Sequence, residues 1–409
     1  MTIKSFIFYY FKLNIYELNF ILCIVGFSAY TSFLPESFPS ILYRAFALAV
    51  SVVCILKNRS HLRIPHDNHV RFFILILILL SFRIFYEVIV GDISDLPYAS
   101  VKTQILLMTF GVSLLPTISV LLTYKKINWF RTFVVILVVL LLMLTKALIS
   151  INSLYIDEET RFELNSRQST LVFGDNSGRI LLLASSILLS KNLNEKNKFI
   201  KILCIVSIFV GVMGLARAAS RGPFVSTLVA LLFLITVTSR RIKTLFVSGL
   251  ILASFSIAAI LKFMADAAPV LFMRMSYTIE EGDTNGRVEL AKRAFDLIVD
   301  NPIFGTNFLL VSSEGFNSYH NMYLSTMVGL GVVLGFAFII FIIQLLYKAL
   351  RLRNRMYLTQ DFFFLSIIFY ISVRGITGIT LTIDAINNIF ILFGALTIRR
   401  LSTLQNYNK

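Results

Sequence analysis

Long apolar stretches separated by short polar ones run along the whole chain. Each stretch approaches the roughly 20 residues that a helix needs to cross a bilayer. Lipid offers no hydrogen-bond partner to an open backbone, so such spans must be helical. The pattern predicts an all-α, polytopic integral membrane protein with about twelve transmembrane helices. The predicted spans are 15–34, 40–56, 70–90, 103–123, 128–150, 175–190, 199–216, 222–238, 244–265, 319–346, 362–380 and 385–398.

Basic residues alternate between the connections in a way that orients these spans. If the N-terminus is cytoplasmic, most of the 38 lysines and arginines fall on the cytoplasmic side, as membrane topology favours. Both termini are then cytoplasmic. The net charge of +16 therefore indicates topology and attraction to anionic membrane lipids, and we expect no nucleic-acid partner. The basic connections and tail are 57–63, 125–126, 191–198, 240–243, 348–355 and 399–400.

The chain contains no visible internal repeat, so we predict one integral membrane domain over 1–409. A long outward loop, 266–318, precedes the tenth span. Within it, the segment 286–302 has helical periodicity and predicts an amphipathic helix on or just above the outer leaflet. A simple lid helix is the alternative interpretation. The apolar face of this helix is predicted to contain Ala291, Ala294, Phe295 and Ile298.

Three spans begin at the outward face with similar residues. Span six is predicted to open with 175–179, span eight follows 217–223, and span ten opens with 318–320. Helix N-termini favour anions, and arginine binds a phosphate or pyrophosphate bidentately. We therefore predict that Arg179 and Arg217 bind an anionic substrate; pairing with lipid headgroups is the alternative.

Three charged residues lie deeper in the predicted spans: Arg83, Glu87 and Arg374. Glu87 follows Arg83 by four residues, the spacing of an ion pair on one helix. Charge within a membrane usually has a function. The sequence leaves open whether these residues are structural or functional.

His320 lies where a polar stretch meets an apolar one. A helix N-terminus lowers the pKa of an imidazole and keeps it neutral, the state that a general base requires. A hydrogen bond to a loop carbonyl is the alternative role. The neighbouring Tyr319 and Asn321 are predicted to bind substrate.

The remaining histidines, the cysteines and the outward carboxylates do not have the arrangement of a metal site. His61, His66 and His69 share a basic loop that we expect to be solvated, and the three cysteines lie in apolar spans. The outward acidic residues lack the paired arrangement of metal-dependent glycosyltransferases. The sequence therefore predicts no metal ion and no cofactor. These acidic residues are Glu280, Glu281 and Asp283.

The order of three motifs resembles the O-antigen ligase and O-antigen polymerase family. The motifs are Ser220-Arg221-Gly222, then Gly286-Arg287 with Asn301-Pro302-Ile303-Phe304-Gly305, then His320-Asn321-Met322-Tyr323-Leu324, and the resemblance covers about 200–345. It implies a metal-independent, inverting glycosyltransferase of the GT-C type. The donor would be an undecaprenyl-pyrophosphate-linked glycan at the periplasmic face of the bacterial inner membrane. By resemblance, Arg221 (or Arg217) and Arg287 bind the pyrophosphate and His320 is the base.

The chain departs from this family at two positions. Gly329 stands where many members carry a glutamate, and the glycine that follows Gly331 is shifted to Gly335. These departures favour an O-antigen polymerase, whose acceptor is a second lipid-linked repeat unit and whose further candidate partner is a chain-length regulator protein. A ligase that uses lipid A–core as acceptor is the alternative. A lipid-linked glycan flippase or transporter is the alternative from another class, and the gathering of charge in the outer third disfavours it.

Overall fold

The computed structural model describes residues 10–33, 40–59, 67–91, 99–151, 163–165, 168–193, 197–218, 220–237, 287–306, 308, 310–312, 315–317, 319, 321–377 and 385–407. The ninth predicted span (244–265), His320, and the carboxylates Glu280, Glu281 and Asp283 lie outside these residues. The side chain of Arg287 is also outside the description.

The described helices follow the apolar pattern closely. Two of them continue through a π-helical segment, π1 (Leu22–Gly26) or π2 (Leu107–Leu114), in which the turn is widened. The helices are α1 (Ile15–Ile21), α2 (Phe27–Phe33), α3 (Ser40–Lys57), α4 (Asn68–Ile89), α5 (Ala99–Leu106), α6 (Leu115–Thr123), α7 (Trp129–Ile151), α8 (Thr170–Leu189), α9 (Lys198–Arg217), α10 (Arg221–Val237), α11 (Arg287–Asp300), α12 (Met322–Leu352), α13 (Thr359–Thr377) and α14 (Ala385–Tyr407).

The all-α polytopic prediction is confirmed. Within the described ranges, seven helices are long and apolar enough to cross a membrane. Apart from the ninth span, each predicted span coincides with a described helix, or with two helices joined through π1 or π2. The helices Ile15–Tyr30 and Arg221–Val237 are apolar but shorter.

Two short β-hairpins lie in the long connections, where hydropathy gave no signal. β1 (Glu163–Asn165) pairs antiparallel with β2 (Gln168–Ser169) and leads directly into α8. β3 (Leu310–Ser312) pairs antiparallel with β4 (Gly315–Asn317), just before α12. Both are too small to change the fold class.

Two helices, α8 and α13, form the centre of the bundle. Helix α13 packs against α8, α10, α12 and α14, and α8 also packs closely against α9. Small residues allow these close approaches, as is common between membrane helices. A Cβ atom on Gly214 would lie 2.3 Å from the Ser177 hydroxyl oxygen, and one on Gly178 would lie 2.3 Å from the Thr227 hydroxyl oxygen.

Helix α12 is broken at Gly331, whose φ of 81° and ψ of 170° are not helical. The turn formed by residues 301–306 fills the break: Val332 N–H donates to the Pro302 carbonyl at 2.8 Å, and Thr306 N–H donates to the Val328 carbonyl at 2.6 Å. The break requires both the positive φ of Gly331 and its missing side chain. A Cβ atom there would lie 2.0 Å from the Ile303 carbonyl oxygen.

We predict that Gly331→Ala destabilises the protein. An alanine would hold a backbone conformation that essentially only glycine adopts, at a cost of about 1–3 kcal/mol, before the clash with Ile303 is added. The apparent melting temperature of the detergent-solubilised protein should therefore fall. The matched control is Val333→Ala, whose side chain is 73% exposed. Equal melting temperatures for the two variants would contradict the break at Gly331.

Candidate functional site

The predicted opening of the sixth span lies inside a helix. Helix α8 begins at Thr170, so Asp175 and Arg179 occupy its second and third turns. The prediction that they stand at a helix N-terminus is therefore wrong, and no free N–H groups are available there. The polar residues from Asp175 to Gly178 are accommodated within the helix. Asp175 pairs with Arg374 of α13, whereas the Ser177 hydroxyl donates to the Phe173 carbonyl at 2.8 Å and Asn176 accepts from Arg179 inside α8 itself.

Asp175 forms a buried ion pair with Arg374 of α13. Arg374 Nε donates to Asp175 Oδ1 at 2.8 Å and Nη2 donates to Oδ2 at 3.3 Å, so the pair is bidentate. The Tyr370 hydroxyl donates to the same Oδ1 at 2.5 Å. Arg374 is 1% exposed. The sequence did not indicate a partner for Arg374, and the structure shows that its partner is Asp175 of α8.

The turn that carries the arginines of the eighth span packs on α8 at Gly174, the residue before Asp175. Arg217 ends α9, Arg221 begins α10, and Pro223 falls in the first turn of α10 as predicted. A Cβ atom on Gly174 would lie 3.1 Å from Pro223 Cγ and 3.3 Å from Ala218 Cβ. The turn between α9 and α10 therefore rests on α8 at the level of Asp175. The Arg217 side chain is exposed and Arg221 is half-buried.

The start of α12 lies against α13 at the same level. Asn321 caps α12: its side-chain oxygen accepts from Tyr323 N–H at 3.0 Å and Leu324 N–H at 3.1 Å. The Tyr323 hydroxyl donates to the Ser372 carbonyl at 2.8 Å. A Cβ atom on Gly375 would lie 2.7 Å from Met322 Cε. The first turn of α12 is thus in contact with the residues that flank Arg374.

Tyr319 is buried beneath α11. It is 2% exposed and belongs to an apolar cluster with Ala294, Ile298, Met327 and Val328. Burial raises the pKa of Tyr319 to about 12, against the opposing effect of the Arg293 guanidinium. The phenol therefore stays protonated at neutral pH. Substrate binding by Tyr319 and Asn321 remains a prediction, beside the structural roles that these contacts define.

The apolar face of α11 is rotated from the predicted one. Ala294 and Ile298 are buried as expected, but Phe295 is 55% exposed. Phe295 follows Ala294 by one residue, which turns it about 100° around the helix and away from α12. It lies instead on an exposed apolar strip with Val288 and Val299. The predicted apolar face is thus divided, because Ala294 and Ile298 pack against the protein and Phe295 lies on the exposed side of α11.

Gly329 has no room for a longer side chain, such as the glutamate that the family resemblance implies at this position. A Cβ atom there would lie 2.7 Å from Phe308 Cδ2 and 3.3 Å from Leu80 Cδ2. Phe308 is 1% exposed and fills the space that a longer side chain would need.

The Arg83–Glu87 ion pair is formed, and it supports the turn that breaks α12. Arg83 Nε also donates to the Thr306 carbonyl at 3.3 Å. These contacts give Arg83 a structural role between α4 and residues 301–306.

We predict that Asp175→Asn destabilises the bundle, because it leaves the Arg374 charge buried without its partner. Such a loss costs about 3–5 kcal/mol. The control Tyr370→Phe removes only one hydrogen bond and should cost about 0.5–1.5 kcal/mol. Adding Arg374→Gln to Asp175→Asn should recover part of the loss, since no unbalanced pair remains. Thermal unfolding in detergent compares the wild type, Tyr370→Phe, Asp175→Asn, Arg374→Gln and the double variant. Additive effects of Asp175→Asn and Arg374→Gln would contradict the coupling.

The comparisons with known proteins agree with the motif order. Residues 205–339 match the family model described as O-Antigen ligase. No curated protein matches the chain. The match includes Arg217, Arg221 and the segment that contains His320, and it supports an O-antigen ligase or polymerase type of activity on lipid-linked glycans. It confirms the family that the motifs predicted. The chain is thus a multi-pass helical membrane protein whose residues 205–339 are similar to the O-antigen ligase family.

Proposed function

We propose that the protein is an inner-membrane glycosyltransferase that polymerises O-antigen, or a similar surface polysaccharide, at the periplasmic face. One observation carries this proposal. The first turn of α10, which contains Arg221, and the first turn of α12, which directly follows the His320-Asn321 pair, both lie at the level of the Asp175–Arg374 pair. A helix N-terminus with arginines, together with a histidine that precedes the start of α12 in the sequence, suits the transfer of a glycan from a pyrophosphate.

His320 acts as the general base in this proposal. Its chain neighbours are held on both sides, Tyr319 by burial under α11 and Asn321 as the cap of α12. The acceptor hydroxyl oxygen attacks the anomeric carbon of the donor sugar, and its proton passes to the imidazole. The bond from the anomeric carbon to the phosphate oxygen breaks, and the pyrophosphate leaves with the electron pair. Attack from the face opposite the leaving group inverts the anomeric centre.

The arginines stabilise the charge that develops on the leaving pyrophosphate. Arg221 and Arg287 take this role, and Arg217 assists from the end of α9. Guanidinium groups stay charged and bind phosphate oxygens bidentately. Preorganised charge of this kind is usually the largest contribution to catalysis. No metal ion is then required.

The donor is an undecaprenyl-pyrophosphate-linked glycan, and the acceptor is a sugar hydroxyl of a second lipid-linked repeat unit. The packing of Phe308 against Gly329 supports a polymerase, because it removes the glutamate position that many relatives have. A ligase with lipid A–core as acceptor is the second candidate, favoured by the description of the matching family.

Purified protein in liposomes, given lipid-pyrophosphate-linked repeat units as the sole glycan, should form products longer than one repeat. His320→Ala should lower this rate by about 10²–10⁴-fold, the usual contribution of a general base. The matched control is His69→Ala, since His69 lies in the first turn of α4, near Lys348. Near-normal polymer from His320→Ala at equal protein level would contradict the general-base role. Product that forms only when lipid A–core is added would identify a ligase instead.

We also predict that transfer continues in excess EDTA, because arginines and a helix N-terminus neutralise the leaving pyrophosphate. Chelator already saturated with Mg²⁺ serves as the matched control for effects of EDTA itself. The same liposome assay measures the rate. Activity that EDTA removes and Mg²⁺ or Mn²⁺ restores would contradict this account and point to Glu280, Glu281 and Asp283 as ligands.

A further inference from the structure

A cavity with two arginines lies on the side of α8 that faces away from α10. This cavity of about 280 Å³ lies between π1, α3, π2 and α8, and its walls are mostly apolar. Typical wall residues are Ile24, Phe27, Met108 and Pro116. The charged residues in its lining are Arg44, Asp175 and Arg179. The cavity therefore combines a long apolar surface with a charged region.

The charges in this cavity do not balance within the part of the chain that the structure describes. Asp175 is engaged by Arg374 and Tyr370. Arg179 is 7% exposed, and its Nη1 donates to the Asn176 side-chain oxygen at 3.3 Å. Arg44 lies over the Phe27 ring at 5.7 Å. Neither Arg44 nor Arg179 forms an ion pair with a described carboxylate.

A buried guanidinium group is costly, because taking an ion out of water requires compensation. Arg179 is buried and shares the single Asp175 charge with Arg374, and Arg44 is half-buried. An anionic ligand would supply that compensation. Two guanidinium groups bordering one cavity match the oxygens of a phosphate or pyrophosphate. The apolar walls match a hydrocarbon chain. A ligand that matches both the guanidinium groups and the apolar walls is a lipid with a phosphate headgroup.

The backbone around the cavity is independently unusual. Both π-helical segments of the described chain line it, through residues such as Cys23 of π1 and Gly111 of π2. π-Helical turns are rare and occur frequently at functional sites. Here they border the same space from two different spans.

This cavity is separate from the arginines at the start of α10. Gly174 and Gly178 of α8 face α10, through contacts with Pro223 and Thr227. Asp175 and Arg179 instead face the cavity. Helix α8 therefore lies between two sets of arginines, one with Arg44 and the other with Arg221.

We propose that the cavity binds the second lipid-linked substrate, with its phosphates between Arg44 and Arg179 and its lipid chain along the apolar walls. The assignment to a substrate rests on the proposed polymerase function, since a polymerase must hold two lipid-linked glycans at once. Arg44 is the residue that this proposal adds to the site. It lies on α3, outside the residues that match the O-antigen ligase family.

Native mass spectrometry with undecaprenyl pyrophosphate as probe tests the proposal by counting bound lipids. The wild-type protein should bind two molecules. Arg44→Gln should bind one, or bind the second at least tenfold more weakly, because the phosphates lose a guanidinium. Ala47→Phe should have the same effect, because it fills the cavity from α3. The matched control Val52→Phe changes an exposed position on the same helix and should still bind two.

Three results would overturn the proposal. The first is unchanged binding in both Arg44→Gln and Ala47→Phe. The second is equal, Arg44-dependent binding of inorganic pyrophosphate, which would identify a free-anion site. The third is equal occupancy by phosphatidylglycerol, which would identify a structural membrane lipid.

The roles of Arg44 and Arg221 are separable in this experiment. Arg221→Gln should remove the other lipid and leave the cavity occupied. If Arg221→Gln keeps both lipids while Arg44→Gln loses one, the cavity proposal stands and the assignment of Arg221 fails.

Discussion

The bundle is organised around the contact between α8 and α13, and this contact depends on Asp175. Within a membrane, a carboxylate and a guanidinium each need the other, because neither can be hydrated. Asp175 satisfies Arg374 bidentately and accepts from Tyr370, so two central helices are fixed in both register and rotation. The positions of the first turns of α10 and α12 follow from that alignment. The start of α10 rests on Gly174, and the start of α12 rests on Gly375.

A second constraint comes from the turn at residues 301–306, which enters the break in α12. Backbone groups freed at Gly331 find partners in this turn, as irregular backbone at membrane depth requires. Arg83 then ties the same turn to α4. The connection that precedes α12 is therefore part of the helical bundle as well as a link between α11 and β3. This arrangement fixes α11 over Tyr319 and limits how far the segment before α12 can move.

Sequence reasoning predicted the elements that depend on local pattern, and it missed those that depend on distant pairing. Apolar runs gave the helices, since burial in lipid is a property of each segment alone. The pairing of Asp175 with Arg374 was invisible, because the two residues are far apart in sequence. The early start of α8 was missed because 175–178 resemble a helix opening by composition, whereas Asp175 is paired with α13 and Ser177 bonds back to the Phe173 carbonyl within α8. The capping role of Asn321 did have a signal, because asparagine directly before a helical run is a common N-cap. Neither π-helical segment differs in composition from its neighbours.

The break at Gly331 also divides α12 by length. Residues 332–352 alone form a helix about 31 Å long, which matches the hydrocarbon thickness of a bilayer. The helical piece from Met322 to Leu330 is therefore not needed to cross the hydrocarbon layer, and it extends α12 by about 13 Å. If the longer piece spans the hydrocarbon, the shorter piece lies in the layer of the lipid headgroups. Its capped end would then meet a hydrophilic sugar in the interfacial layer, while the lipid that carries the sugar stays in the membrane.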